Sequence, residues 1–379
     1  MLQRLNVKSF VLSKSPKIEN KNVSWIFPVN FEWEGLKIYC GEVDLPDISF
    51  DLNDDDNQKN VLVRVKAFSI NHRDASMFYH AYEDLGNKDV YPIGSEFCAE
   101  VLQVGPEVDS INVGDLVIGD NHYHDDGLVE QLGVPVNFSS QELLILPADK
   151  VFLKPDSMTL DVAASFSVAS QTSYSILEKL QLKKGDNLLI TGASSNTSVT
   201  LLNAAVGKRI NVTMLSRNLQ HSLQFYELDA EEVWCLPEQN FPLIQNEVVL
   251  KKVQEIKGFH GIADPFVDFY FPKVAPLIKF GGNYVFSGIA NQLLKEEENL
   301  DQLSKENLLA WSEMIAKKVN VLGACLGERR HLQEAVRDWE KGLFKGVPFE
   351  GVYSAGQELA FIEKAFGLTL RFGKSVWKY

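Results

Sequence analysis

The stretch KGDNLLITGASSNTSVTLLNAAVGKRINVTMLSR, residues 184–217, limits the fold more than any other part of the chain. Leu188, Leu189 and Ile190 form a short apolar run of the kind buried on both faces of a parallel sheet. Residues 192–198, GASSNTS, are a turn of small polar residues, residues 199–205 carry a helical apolar face, and residues 210–215 return to a strand pattern. Two strands joined through a helix in this way make a βαβ unit, which belongs to an α/β domain. The first turn of such a helix leaves N–H groups and a partial positive charge exposed, a seat for a dinucleotide's pyrophosphate. The G-x-G-x-x-G fingerprint of such sites uses three glycines. Only Gly192 is glycine here, and Ser195 and Ser198 stand where two others are expected. Serine is small, and its hydroxyl can donate to a phosphate oxygen. Gly192, Ala193, Ser194, Ser195, Asn196 and Thr197 are therefore read as the cofactor-cradling turn, although the same residues also suit a strand–helix turn that holds no ligand.

The end of the second strand sharpens this reading. Residues 212–215 run into Ser216, Arg217 and Asn218, and no acidic residue lies between Lys208 and Gln224. An NAD-specific domain places Asp or Glu here to accept from the ribose 2′-hydroxyl, and an acid would repel a 2′-phosphate. Arg217 offers a fork of donors to that phosphate and Ser216 a hydroxyl, so NADPH is the expected cofactor.

Composition sets the outer bounds. A chain of 379 residues suggests about two domains. The formal net charge of −14 and a pI near 5.0 argue against nucleic acid and anionic membrane surfaces as partners. Cys40, Cys98, Cys235 and Cys325 are far apart and form no C-x-x-C, so neither a disulfide framework nor a clustered zinc site is suggested. The basic N-terminus lacks the continuous apolar core of a secretory signal, and no apolar run is long enough to span a bilayer, so a cytoplasmic protein is expected.

Residues 1–36 read as an N-terminal extension whose Phe27, Phe31, Trp33 and Leu36 pad one edge of a domain. From residue 37 to about 158, short strands separated by Gly, Pro and Asp suggest a small β-barrel, with residues 61–67 alternating as one of its strands. Residues 161–180 read as a helix capped by Thr159 or Asp161. Strand ends recur at 230–234, 261–265 and 282–288, and residues 326–342 are amphipathic, with Leu332, Ala335, Val336 and Trp339 on one face. His122, His124, Asp125 and Asp126 form H-x-H-D-D, read as a polar loop rather than a metal site.

An ordered set of motifs then resembles the medium-chain dehydrogenase/reductase superfamily, above all its zinc-independent, quinone oxidoreductase-like branch. The set comprises Asn71-x-x-Asp74, Pro92-Ile93-Gly94-Ser95-Glu96, Val104-Gly105-Pro106-Glu107-Val108, Val113-Gly114-Asp115, Leu146-Pro147-Ala148-Asp149-Lys150, Ala169-Ser170-Gln171-Thr172-Ser173-Tyr174, Gly281-Gly282-Asn283-Tyr284-Val285 and Phe372-Gly373-Lys374. The resemblance covers residues 37–379. It implies a GroES-like β-barrel domain over 37–158, completed by 328–379, with a Rossmann-like doubly wound domain inserted over 159–327. It gives Asn71 and Thr172 catalytic roles, orienting substrate or nicotinamide, and adds Gly288 and Lys374 to the cofactor-binding set. Zinc alcohol dehydrogenases place Cys and His ligands at the positions of Asn71 and Ser95, and a further Cys near 167–170; this chain has none of them, and no cysteine between Cys98 and Cys235 for a structural zinc lobe. Asn and Ser are poor zinc ligands, so no metal is expected. The implied activity is an NADPH-dependent reduction of a quinone or an activated alkene or carbonyl, by a homodimer that pairs through residues 319–324. The rival reading is a non-catalytic NADP(H)-binding sensor or structural protein on the same fold.

Overall fold

The computed structural model describes residues 7–33, 35–83, 88–122, 138–236, 243–289, 300–367 and 371–379. The chain forms two compact units: Met1–Val168 with Phe349–Tyr379, and Ala169–Pro348. No described helix is long and apolar enough to cross a membrane.

In the first unit the alternating run at 61–67 becomes the central strand, Asn60–Ser69. It pairs antiparallel with Glu96–Val104 on one edge, and with Leu143–Pro147 and then Lys374–Lys378 on the other. Val61, Val63, Val65 and Ala67 are all fully buried. A second sheet corrects the reading of residues 1–36 as an appended extension. Val7–Ser13 pairs along its whole length with Leu36–Leu45, from Val7 opposite Leu45 to Ser13 opposite Tyr39. Val29–Trp33 pairs with the other edge of the same strand. Phe10 supplies the reason: fully buried, it packs edge-on against Trp377 at 4.9 Å and Phe361 at 5.5 Å. Each such ring pair adds about 0.5–1.5 kcal/mol beyond its buried area. The extreme N-terminal and C-terminal strands thus share one core.

The domain boundaries also shift from those expected. The helix predicted over 161–180 is broken: Thr159 Oγ1 caps Leu160–Ala163 by accepting from the Val162 N–H, and a separate helix, α1 (Ser167–Leu180), follows. The amphipathic helix at the expected C-terminal boundary, Arg329–Glu340, belongs to the second unit rather than the first. Its Leu332, Ala335 and Val336 are buried, and its Glu334 and Asp338 bind Lys208 at 2.7 and 3.2 Å.

The second unit is an open parallel sheet. Its strands are β1 (Asn187–Ile190), β2 (Asn211–Ser216), β3 (Glu232–Cys235), β4 (Phe259–Asp264), β5 (Ile278–Phe286) and β6 (Asn320–Gly323). They lie in the order 3-2-1-4-5-6, all parallel. Helix α2 (Asn196–Gly207) follows β1, α3 (Val267–Val274) follows β4, α4 (Leu300–Ala316) precedes β6, and α5 is the Arg329–Glu340 helix. Connections from β1 and β4 leave in opposite directions, so a crevice opens beyond their C-terminal ends, where ligands bind in such sheets.

Candidate functional site

In the first unit a polar cluster gathers around Glu96, which is fully buried at the start of its strand. Its Oε1 accepts from Ser69 Oγ at 2.6 Å, from Asn71 Nδ2 at 3.0 Å and from the Lys374 ammonium. Its Oε2 accepts from the Val168 N–H at 3.0 Å. The Asn71 nitrogen also donates to Ser95 Oγ at 2.9 Å, and Ser95 donates to Asp74 Oδ2 at 3.0 Å. Asp74 accepts from the Asn71 backbone N–H at 2.7 Å and pairs with Arg73 at 3.0 Å. Burial pushes its carboxyl upward in pKa, and the Arg73 charge and these hydrogen bonds pull it back.

This geometry fixes what Asn71 can do. A carboxylate only accepts, so the amide must turn its NH2 toward Glu96. The oxygen is then the side chain's acceptor, and it faces the Asp74 backbone N–H in the capping box of the turn that follows. Lys374, expected among the cofactor-binding residues, is corrected: its side chain is fully buried and its ammonium lies against Glu96. A lysine so deep persists because it is paired.

The remaining predicted residues lie in the second unit. Thr172 is buried within α1. Gly192 sits at φ +55°, which favours glycine, and an added Cβ would come within 2.8 Å of the Phe266 ring. Gly288 is equally confined, since a Cβ there would lie 2.8 Å from the Pro265 carbonyl oxygen. Both glycines are thus required by the Pro265–Phe266 corner, whether or not a ligand is bound. Ser195 caps α2 by accepting from the Ser198 N–H at 3.1 Å. Ser198 is buried, and its hydroxyl donates to the Thr191 carbonyl at 2.7 Å. The two serines in place of glycine therefore knit the turn together internally. Ala193 is held by the Leu215 carbonyl at 3.1 Å, which ties the turn to β2. Ser194, Asn196 and Thr197 are half-buried, and the Asn196 Oδ1 has no partner among the described residues. The Asn196 and Thr197 N–H groups have no acceptor among the described residues, as the first turn of a helix requires of a phosphate seat.

Ser216 ends β2 buried, with its hydroxyl accepting from the Asn218 N–H at 3.3 Å. Arg217 is exposed and makes no ion pair with any described residue, although acids outnumber bases 51 to 37 in the chain. Below the turn lies a carboxylate that sequence reasoning missed. Asp264, fully buried, accepts from Thr191 Oγ1 at 2.7 Å, from the Phe266 N–H at 2.9 Å and from the Tyr284 hydroxyl. Burial raises its pKa against the pull of those bonds. It joins the ends of β1, β4 and β5 and sets the Pro265–Phe266 corner. Asp followed by Pro at a strand end was the one local signal for it. His122 faces Asp120 at 3.0 Å, whereas His124, Asp125 and Asp126 lie outside the described residues.

Comparison with known proteins agrees with this architecture. Residues 57–156 match the alcohol dehydrogenase GroES-like domain family. An L-threonine 3-dehydrogenase of Francisella tularensis subsp. novicida is 26% identical over 253 residues, spanning 61% of this chain and 70% of that protein. A putative alcohol dehydrogenase from Sinorhizobium meliloti superposes with a TM-score of 0.72 at 18% identity, over 98% of this chain and 96% of that one. A putative NADPH:quinone reductase from Bacillus thuringiensis superposes at 0.67 and 16% identity, over 98% and 99%. The GroES-like match in the first unit and a six-stranded parallel sheet in the order 3-2-1-4-5-6 in the second together make the architecture of the medium-chain dehydrogenase/reductase superfamily.

Proposed function

We propose that this chain is a zinc-independent reductase that uses NADPH to reduce a quinone or an activated alkene or carbonyl. The carrying observation is the cluster around Glu96. Zinc members of the superfamily hold the metal at the positions of Asn71 and Ser95; here the same cluster contains a buried lysine ammonium. An amide turned inward, a serine hydroxyl and a fixed positive charge make a poor zinc set. The Ser69 and Ser95 hydroxyls are directed at Glu96 and Asp74, which leaves neither to polarise a carbonyl oxygen, and the Lys374 ammonium is buried against Glu96. An acceptor already activated by conjugation does not require that help.

Bound NADPH would supply a hydride to an electrophilic carbon, with the matching proton drawn from solvent or from a hydroxyl group. The chain's own part is positioning. The first N–H groups of α2 fit a pyrophosphate, and Arg217, which has no ion pair among the described residues, fits a 2′-phosphate. Asn71 is assigned to orienting substrate, and Thr172 to supporting the nicotinamide. NADPH oxidation across a panel of quinones and enones tests the reading. Tight NADPH binding with no turnover on any of them favours the non-catalytic sensor instead.

The same reading includes a homodimer. Residues 319–324 contain β6, which among the described strands pairs only with β5 and leaves its outer edge open. Helix α4, which leads into it, turns Leu308 and Ile315 outward at 70% and 77% exposure, with Leu309 and Trp311 beside them. An uncharged strand edge next to an apolar helix stripe, on a chain with net charge −14, suits a second copy paired about a two-fold axis.

A further inference from the structure

His260, near the start of β4, is engaged at both ring nitrogens. The Asn187 backbone N–H donates to its Nδ1 at 3.1 Å, and its Nε2 lies 3.2 Å from Asp186 Oδ1. An N–H only donates and a carboxylate only accepts, so the two partners fix one neutral tautomer, with the hydrogen on Nε2. The bond to Asn187 takes the place of a backbone rung. Leu188, Leu189 and Ile190 of β1 pair in register with Gly261, Ile262 and Ala263 of β4, and the Thr191 N–H closes the far end on the Ala263 carbonyl at 3.0 Å. At the near end the acceptor is a side chain that titrates. A ring protonated at Nδ1 turns a donor toward a donor, and the bond to Asn187 is lost.

We propose that His260 is a pH-sensitive latch between β1 and β4: the neutral ring closes the N-terminal end of the strand pair through the Asn187 N–H, and the protonated ring releases it. The charged groups that face the ring are Asp186, in the turn before β1, and Lys279, which follows Ile278, the register partner of Phe259 on β5. Asp186 is itself held by the Lys183 N–H at 2.8 Å. Burial lowers the pKa of the imidazole, Asp186 raises it and Lys279 lowers it again, with a net fall. For a base, a folded-state value below the unfolded one means stability that is present above the unfolded histidine value of about 6.5 and is lost as pH falls through the folded value. The two strands end in the Gly192 turn and the Asp264 corner, so the latch joins the elements that carry both. It does not depend on the NADPH reading.

Hydrogen exchange of the full chain, read at single amides by fragmentation mass spectrometry and corrected for the intrinsic effect of pH, tests this with the Thr191 amide as internal reference. Between about pH 8 and about pH 5, protection of the Asn187 N–H relative to Thr191 should fall about three- to tenfold, the scale of one hydrogen bond. His260→Asn should hold that ratio constant, because an amide oxygen near the position of Nδ1 can accept from Asn187 and does not titrate. A ratio in the unmutated chain that does not change with pH overturns the latch. So does an equal fall in His260→Asn, which would place the titrating group elsewhere.

Discussion

The proposed phosphate contact at Arg217 and the buried pair at Lys374 were not equally legible. Arg217 is proposed from a local signal: a strand end with an arginine and no acid nearby. Arg217→Ala should weaken NADPH binding by roughly 1.5–3 kcal/mol, the scale of a hydrogen bond to a charged group, and leave NADH nearly untouched. Nicotinamide fluorescence titration measures both, and equal losses would contradict the assignment. Lys374 was misread because its partner, Glu96, is 278 residues away in sequence and burial is not written in a motif. Lys374→Met leaves the Glu96 carboxylate buried without its cation, and should cost about 3–5 kcal/mol of stability by denaturant unfolding. A loss below about 1 kcal/mol would mean that the pair is incidental.

At the scale of elements, periodicity announced β1, α2 and β2, because each is set by neighbours within a few residues. The break between Leu160–Ala163 and α1 was not visible; beside it the Val168 N–H donates to Glu96, a partner 72 residues away in sequence. The Asp264–Phe266 corner was equally hidden: it depends on Thr191 and Tyr284, which come from two other strands. Helices α1 and α5 show how such distant pairings act on stability. Glu178 of α1 binds Arg330 at 2.5 Å and His331 at 2.7 Å, and those bonds hold its carboxyl at about 2, below its ordinary 4.5. A lowered folded-state pKa means stability present above the unfolded value and lost as pH falls toward about 2. Glu178 is half exposed, so solvent screening limits the effect. Glu178→Gln should therefore cost no more than about 1 kcal/mol at pH 7, with the difference from wild type vanishing near pH 2. Unfolding curves at a series of pH values check it, and a gap that persists at the acid end would contradict it.

For the whole molecule, the GroES-like and Rossmann-like architecture was readable from the order of motifs, whereas the N-terminal sheet was not, because residues 7–33 carry no motif and acquire their place only by pairing with Leu36–Leu45. The proposed dimer is tested at the outward stripe of α4. Leu308→Glu with Ile315→Glu should convert a dimeric mass to a monomeric one by light scattering at micromolar concentration, since buried like charges oppose association. A wild-type monomer would remove the proposal. The central claim is that this chain transfers hydride from NADPH to a conjugated acceptor without zinc. The most direct measurement follows deuterium from NADPH labelled at C4, as each stereoisomer in turn, into an enone product formed by chelator-treated protein. One of the two labels should appear on the product's β-carbon, at a rate unchanged by the chelator. Product without carbon-bound deuterium from either label, or turnover that ceases on chelation and returns with zinc, would contradict the account.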